Sequence, residues 1–207
     1  METIFILVRH GSHDRLGSVL CGRMAGVTLS AQGRAEADLL ADRLSPQHRS
    51  GQRLTAVLSS PLERAVETAT PIAERQGLPL TIEPALNELD LGAWSGKRFE
   101  ELHGDPAWDL WNRARSHGRP TPGESPGESM AEAQTRIAAL LDRLRRAHPG
   151  GTLALVSHGD IIKAALALAM GLPLDFYGRF EISPASRSVV IAGDWGLKVH
   201  SINEGAA

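Results

Sequence analysis

The chain has 207 residues, which suits one large domain or a core with a modest insertion. Its formal charge of -2, with 42% hydrophobic and 22% charged residues, excludes a globally basic nucleic-acid binder and a highly charged disordered chain. The lone cysteine, Cys21, excludes an intrachain disulfide, and the longest apolar stretch, residues 161–170 with Lys163 inside it, is too short to span a bilayer.

Residues 3–8 are rich in β-branched and aromatic side chains and predict a strand; the apolar run after Met1-Glu2-Thr3 is too short for a signal peptide. Residues 30–44 predict a helix, with Leu39, Leu40, Arg43 and Leu44 at helical spacing. Residues 54–58 form a short apolar run of the kind a buried parallel strand shows. Ser60-Pro61-Leu62-Glu63 then predicts a helix start, with Ser60 as N-cap and Pro61 at the first helical position. Pro122-Gly123-Glu124-Ser125 is repeated at once as Pro126-Gly127-Glu128-Ser129, and both read as loop. Ser129 and Glu132 form a capping-box pattern that opens a helix to about His148, before Pro149-Gly150. Residues 152–156 predict a further buried strand, and residues 160–170 an Ala-rich helix ended by Gly171 and Pro173. Residues 187–192 and 197–202 flank Gly193-Asp194-Trp195-Gly196 and predict a closing hairpin. Strands alternating with helices argue for an α/β fold with a mainly parallel sheet.

The chemistry is concentrated just past the ends of three strands. Arg9-His10-Gly11 comes after the first, Ser59-Ser60-Pro61 and then Arg64 after the second, and Ser157-His158-Gly159 after the third. Open α/β sheets bind ligands outside the carboxyl ends of their strands, so these residues are expected at one edge. Helix N-termini there favour an anion, and arginine forks recognise phosphate oxygens. Gly11 and Gly159 are expected to supply positive φ or a close approach of backbone to ligand. A neutral imidazole can attack phosphorus, and a carboxyl held near neutrality can protonate the leaving oxygen. Glu88 is the candidate carboxyl, although residue type alone does not choose it over Asp90.

His10, His13, Asp14, His158 and Asp160 could suggest a metal hydrolase, but the spacing is no standard signature and two central arginines would repel a cation. Cys21 lacks the arginine six residues later that a cysteine phosphatase needs, and no phosphate-loop NTPase motif occurs. The Trp94, Trp108 and Trp111 group reads as packing.

In this order, Leu7-Val8-Arg9-His10-Gly11, Ser59-Ser60-Pro61-Leu62-Glu63-Arg64-Ala65, Asn87-Glu88 with Gly92 and Trp94, and Val156-Ser157-His158-Gly159 resemble the histidine phosphatase superfamily. The Pro-Gly-Glu-Ser loop is similar to one in that family. The resemblance implies a three-layer αβα sandwich of about six strands, one domain over residues 1–207, and a cap-like insertion at about residues 94–129. It implies His10 as the phosphorylated nucleophile, with Arg9, Arg64 and His158 on the phosphoryl group. It implies Glu88 as general acid and then base, and Gly159 as a backbone donor. Gly11, Ser12, Cys21, Gly22 and Arg23 are expected to contact phosphate or substrate. No metal and no cofactor are expected.

The segment Ser12-His13-Asp14-Arg15-Leu16 departs from the family pattern, which often has Glu or Gln, then Ser or Thr, with an Asn a few residues on. The paired arginines of phosphoglycerate mutases are also missing, Arg113 and Arg115 being the nearest substitutes. Hydrolysis of a small phosphorylated substrate is therefore expected ahead of a phosphomutase or a non-catalytic phosphate-binding scaffold. The expected setting is cytoplasmic, without nucleic acid or membrane, and a homodimer is compatible with the sequence.

Overall fold

The computed structural model describes residues 1–48, 53–120 and 126–205. Strand β1 (Thr3–Arg9) leads to helix α1 (Ala31–Leu44), β2 (Ala56–Ser59), α2 (Glu63–Gln76) and β3 (Leu80–Ile82). Two single 3-10 turns, Pro84–Leu86 and Gly92–Trp94, precede the short helices α3 (Phe99–Leu102) and α4 (Pro106–Arg113). Then come α5 (Met130–Ala147), β4 (Thr152–Ser157), α6 (Gly159–Met170), a 3-10 segment (Leu174–Arg179) and the hairpin β5 (Arg187–Gly193) and β6 (Gly196–Glu204).

The six strands form one sheet in the order β3-β2-β4-β1-β5-β6. β3, β2, β4 and β1 run parallel, while β5 and β6 are antiparallel additions. Side chains alternate across a strand, so β1 sends Phe5 and Leu7 to one face and Ile6 and Val8 to the other. β4 does the same with Leu153 and Leu155 against Ala154 and Val156. Helices α5 and α6 cover the first face, and α1 and α2 the second. Burial on both faces is why these strands read as unbroken apolar runs. Each such side chain contributes roughly 1.5–3 kcal/mol, and Phe5→Ala would cost about 3–5 kcal/mol through the cavity it leaves.

Local signals account for most helix ends. The Ser30 hydroxyl accepts the Gly33 N–H, Ser129 and Glu132 form the reciprocal capping box, and Gly171 ends α6 at φ 63°. One cap departs from expectation. α2 begins at Glu63 behind Leu62, with no side chain capping Glu63 onward; the Ser60 hydroxyl accepts the Leu62 N–H at 3.3 Å and is hydrogen-bonded to His158 Nε2 at 2.7 Å. A second departure is β3, three residues long at the sheet edge, which carries no periodic pattern to read. The first Pro-Gly-Glu-Ser copy lies outside the described residues apart from its neighbours at 120 and 126.

Candidate active site

The parallel register puts Arg9 beside Ser157 and Ser59 beside Val156, so β1, β2 and β4 end together. His10 extends β1 by one backbone bond, its N–H donating to the Ser157 carbonyl at 3.0 Å. The Gly11 N–H donates to the Thr68 hydroxyl on α2 at 3.0 Å, and that hydroxyl donates to the Arg64 carbonyl one helical turn back at 2.7 Å. One threonine therefore ties the His10 loop to the helix that carries Arg64.

Gly11 and Gly159 do not adopt positive φ. Gly11 is needed for a close approach of a different kind. A Cβ there would sit 2.5 Å from the Gly33 carbonyl oxygen, and one on Gly33 would sit 1.9 Å from the Ser12 carbonyl oxygen. The first turn of α1 is thus seated directly on the backbone behind His10. At Gly159 an added Cβ would meet the Arg9 guanidinium at an ordinary 3.7 Å.

The His10 ring is buried, and its Nδ1 lies 2.8 Å from the Gly11 carbonyl oxygen. A carbonyl only accepts, so in the neutral ring the proton sits on Nδ1 and Nε2 keeps its lone pair. Burial, then the charge of Arg64, hold the imidazole pKa well below its ordinary value. His158 is fully buried beside it, 5.1 Å from ring centre to ring centre, and is also kept neutral, by burial and then by His10 and the two arginines.

A cavity of about 140 Å³ opens here, lined by Arg9, His10, Arg64, Glu88 and Asp160 among others. Larger hollows lie elsewhere, one of about 380 Å³ between α1 and α2, but that one contains no nucleophile beside a cation cradle. Arg9 gives one N–H to the Ile182 carbonyl and Arg64 one to the Gly22 carbonyl at 2.7 Å. Arg9 Nε, Arg64 Nε and Nη1, and His158 Nδ1 are buried without a protein partner. Buried donors of this kind call for an acceptor-rich ligand. Burial pulls both guanidinium pKa values down and the Glu88 charge pulls them back, and guanidinium stays charged throughout.

Glu88 is half-buried on the cavity wall, and burial first, then the charge of Asp160, push its pKa up to about 7. Its segment is held from several sides. Arg23 donates to the Glu88 carbonyl at 2.7 Å, and Arg136 to the Ala85 and Asn87 carbonyls. Glu128, from the second Pro-Gly-Glu-Ser copy, binds both arginines, and its own N–H donates to the Asp90 carbonyl. The Ser157 hydroxyl donates to the Leu86 carbonyl, tying the same segment to β4.

The expected residues therefore divide. Arg9, His10, Cys21, Gly22, Arg64 and Glu88 line the cavity; Gly11 and His158 adjoin His10, and Gly159 opens α6 beside Arg9. Ser12 is not brought there, because its N–H and hydroxyl both bind the Glu36 carboxylate. Arg23 is committed to Glu88, Asp90 and Glu128. Sequence reading missed Asp160 and His13 as wall residues, and Thr68 and Glu128 as supports. Asp160 was within reach, two residues after His158 at a helix start. Among the described residues no group of three or more His, Cys, Asp or Glu is arranged to hold a metal ion. No described helix is long and apolar enough to cross a membrane.

The family model described as the histidine phosphatase superfamily, branch 1, matches residues 5–205. The chain is 33% identical over 189 residues to phosphoserine phosphatase 1 of Hydrogenobacter thermophilus, covering 89% of this chain and 84% of that protein. It is 32% identical over 184 residues to a probable phosphoglycerate mutase GpmB of Yersinia enterocolitica, covering 89% and 82%. The solved structure of YhfR from Bacillus stearothermophilus superposes with a TM-score of 0.85 at 26% identity, covering 96% of each chain.

Proposed function

The chain belongs to the histidine phosphatase superfamily, and from that premise we propose that it hydrolyses a small phosphomonoester through a phosphohistidine on His10. The observation that carries this reading is the His10 ring. Its Nδ1 hydrogen is held by Gly11, and it shares one cavity with Arg9, Arg64 and Glu88.

The steps balance. Nε2 of neutral His10 attacks phosphorus, and the bond from phosphorus to the ester oxygen breaks. Glu88 gives its proton to that oxygen, and the alcohol leaves. Glu88, now a carboxylate, takes a proton from water as the water oxygen attacks phosphorus. The P–N bond breaks, inorganic phosphate leaves, and His10 and Glu88 return to their starting states. A pKa near 7 suits a group that must donate and then accept. The unpartnered donors of Arg9, Arg64 and His158 would take the phosphoryl oxygens, as would the Gly159 N–H, free at the first turn of α6. Two guanidiniums at the centre supply the charge neutralisation that a metal ion provides in other phosphotransferases.

Hydrolysis is favoured over a phosphomutase by the surroundings of the cavity. A mutase must retain an acid product and re-present it, which calls for further cations. Arg113 binds a carbonyl in its own helix, and Arg115 is stacked between Trp111 and Tyr177; neither lines the cavity.

The test is to mix the protein with an aryl phosphate, quench in base, and look for an acid-labile phosphoryl group on the His10 peptide. Label on His10, and a fall in turnover of at least about 10⁴-fold in His10→Ala, are expected. Turnover with no label and no loss in the variant would overturn the reading.

A further inference from the structure

The wall of the cavity away from the two arginines has its own chemistry. It is formed by two chain segments zipped together. Leu20 N–H donates to the Lys97 carbonyl, Gly96 N–H to the Leu20 carbonyl and Phe99 N–H to the Ser18 carbonyl, at 2.9–3.1 Å, and Val19 pairs with Arg98. The side chains this zipper brings to the cavity are Leu16, Val19, Leu20 and Phe99, joined by Leu91. Leu16 is 39% exposed and Phe99 37%, which is unusual for large apolar residues unless something covers them. Here they edge the cavity that holds His10, Arg9 and Arg64.

Charge on this wall runs against an acidic substrate. Among the described residues lining the cavity, Arg9 and Arg64 are the cations, and both face the phosphoryl position. The remaining acids are Glu88, which carries no charge in its donor form, and Asp160, whose carboxylate would repel another although Arg115 stands 3.8 Å from it. His13 adds no positive charge near neutrality, because burial and then Arg64 push its pKa down to about 4. The Cys21 thiol stays protonated, its pKa raised by burial. Cations close in sequence are engaged elsewhere: Arg23 with Glu128 and Asp90, and Arg98 with Glu100. Arg15 lines an adjoining hollow with Asp14 and Thr28 that shares His13 with the cavity, and it acts on His13 and Cys21 only as a minor charge beside Arg64.

We infer that the alcohol released at this site is uncharged and apolar, an alkyl or aryl group resting on Leu16 and Phe99. The inference rests on the phosphatase reading above and names its substrate class. Phosphate esters of hydroxy acids, such as phosphoglycerate or phosphoserine, are correspondingly poor substrates.

The experiment compares kcat/KM for methyl phosphate, n-pentyl phosphate, 3-phosphoglycerate and phosphoserine. All four are esters of primary alcohols, so leaving-group acidity does not favour the alkyl compounds. n-Pentyl phosphate is expected to exceed methyl phosphate by about tenfold or more, the worth of methylenes accepted by an apolar pocket. 3-Phosphoglycerate and phosphoserine should fall at or below methyl phosphate. Phe99→Arg should reverse the order, lowering n-pentyl phosphate and raising 3-phosphoglycerate, with the melting temperature measured alongside. Equal rates across the four, or a tenfold preference for either acid, would overturn the inference while leaving the phosphatase reading intact. Failure to hydrolyse any of them, with phenyl phosphate also inert, would overturn both.

Discussion

Two pairs of arginines surround Glu88 and are built in opposite ways. Arg23 and Arg136 are answered group by group: Glu128 binds both, Asp90 stands near Arg23, and backbone carbonyls at 85, 87 and 88 take other N–H groups. Arg9 is half-buried as Arg23 and Arg136 are and Arg64 is fully buried, yet three of their nitrogens have no protein partner. A paired arginine is scaffold. An unpaired buried one is held there against its desolvation penalty, and an anionic ligand is what offsets it. Arg115 shows that an unpartnered N–H alone is not enough. Two of its donors are also unbonded, but aromatic rings cover both faces and Asp160 stands 3.8 Å away.

That contrast has consequences that mutation can break. The largest is expected at Arg64. Arg64→Ala should lower kcat/KM by about 10³-fold, since a preorganised donor set for the transferring group is lost. It should leave the melting temperature nearly unchanged or raise it, because an unpaired buried charge goes with it. Activity retained at the expense of stability would place Arg64 among the scaffold arginines.

Glu88→Gln comes next, with a loss of roughly a hundredfold or more. Its pH profile is the sharper readout. The donor form of Glu88 is protonated, and its pKa in the free protein is about 7, so wild-type kcat/KM, which covers the acid-requiring first half-reaction, should decline as pH rises through that value. His10, with its pKa held well below the ordinary range, sets no limit in that window. The variant should lack the alkaline decline.

Glu128→Gln reverses the signature of Arg64. It leaves Arg23 and Arg136 without their shared carboxylate, and should destabilise the fold by about 2–3 kcal/mol in urea titrations. Its effect on kcat should stay near tenfold, transmitted through the position of Glu88. The smallest effect is expected for Ser60→Ala, about 1 kcal/mol of stability and a few-fold in rate, through loss of the bond to His158.

Residues whose neighbours lie close in sequence were legible from it. β1 and β4 announced themselves because both faces are buried, and Ser129 with Glu132 closes a cap across three residues. His10, Arg64 and Glu88 were marked by ordered motifs around strand ends. Residues whose partner lies far along the chain were not. Ser60 satisfies every local rule for a helix cap and its hydroxyl does accept the Leu62 N–H, but the helix begins only at Glu63 and the shorter bond of that hydroxyl is to a histidine 98 residues away. Glu128 could not be told from Glu124 until Arg23 and Arg136 were brought against it. Asp160 became part of the cavity only through the pairing of β4 with β1, which aims the start of α6 at Glu88. Gly11 was expected to supply positive φ or to admit a ligand; its φ is not positive, and what comes close to it is the backbone of Gly33.

The Gly11–Gly33 contact reaches further than packing. With main chain fitted against main chain, no rotamer can adjust at this joint, so α1 and the His10 loop are expected to move as one body. Any local opening that lifts the first turn of α1 also unseats His10. The temperature at which catalysis fails is then a property of α1, and amide exchange in its first turn should report enzyme inactivation before the β1–β4 amides report melting of the sheet.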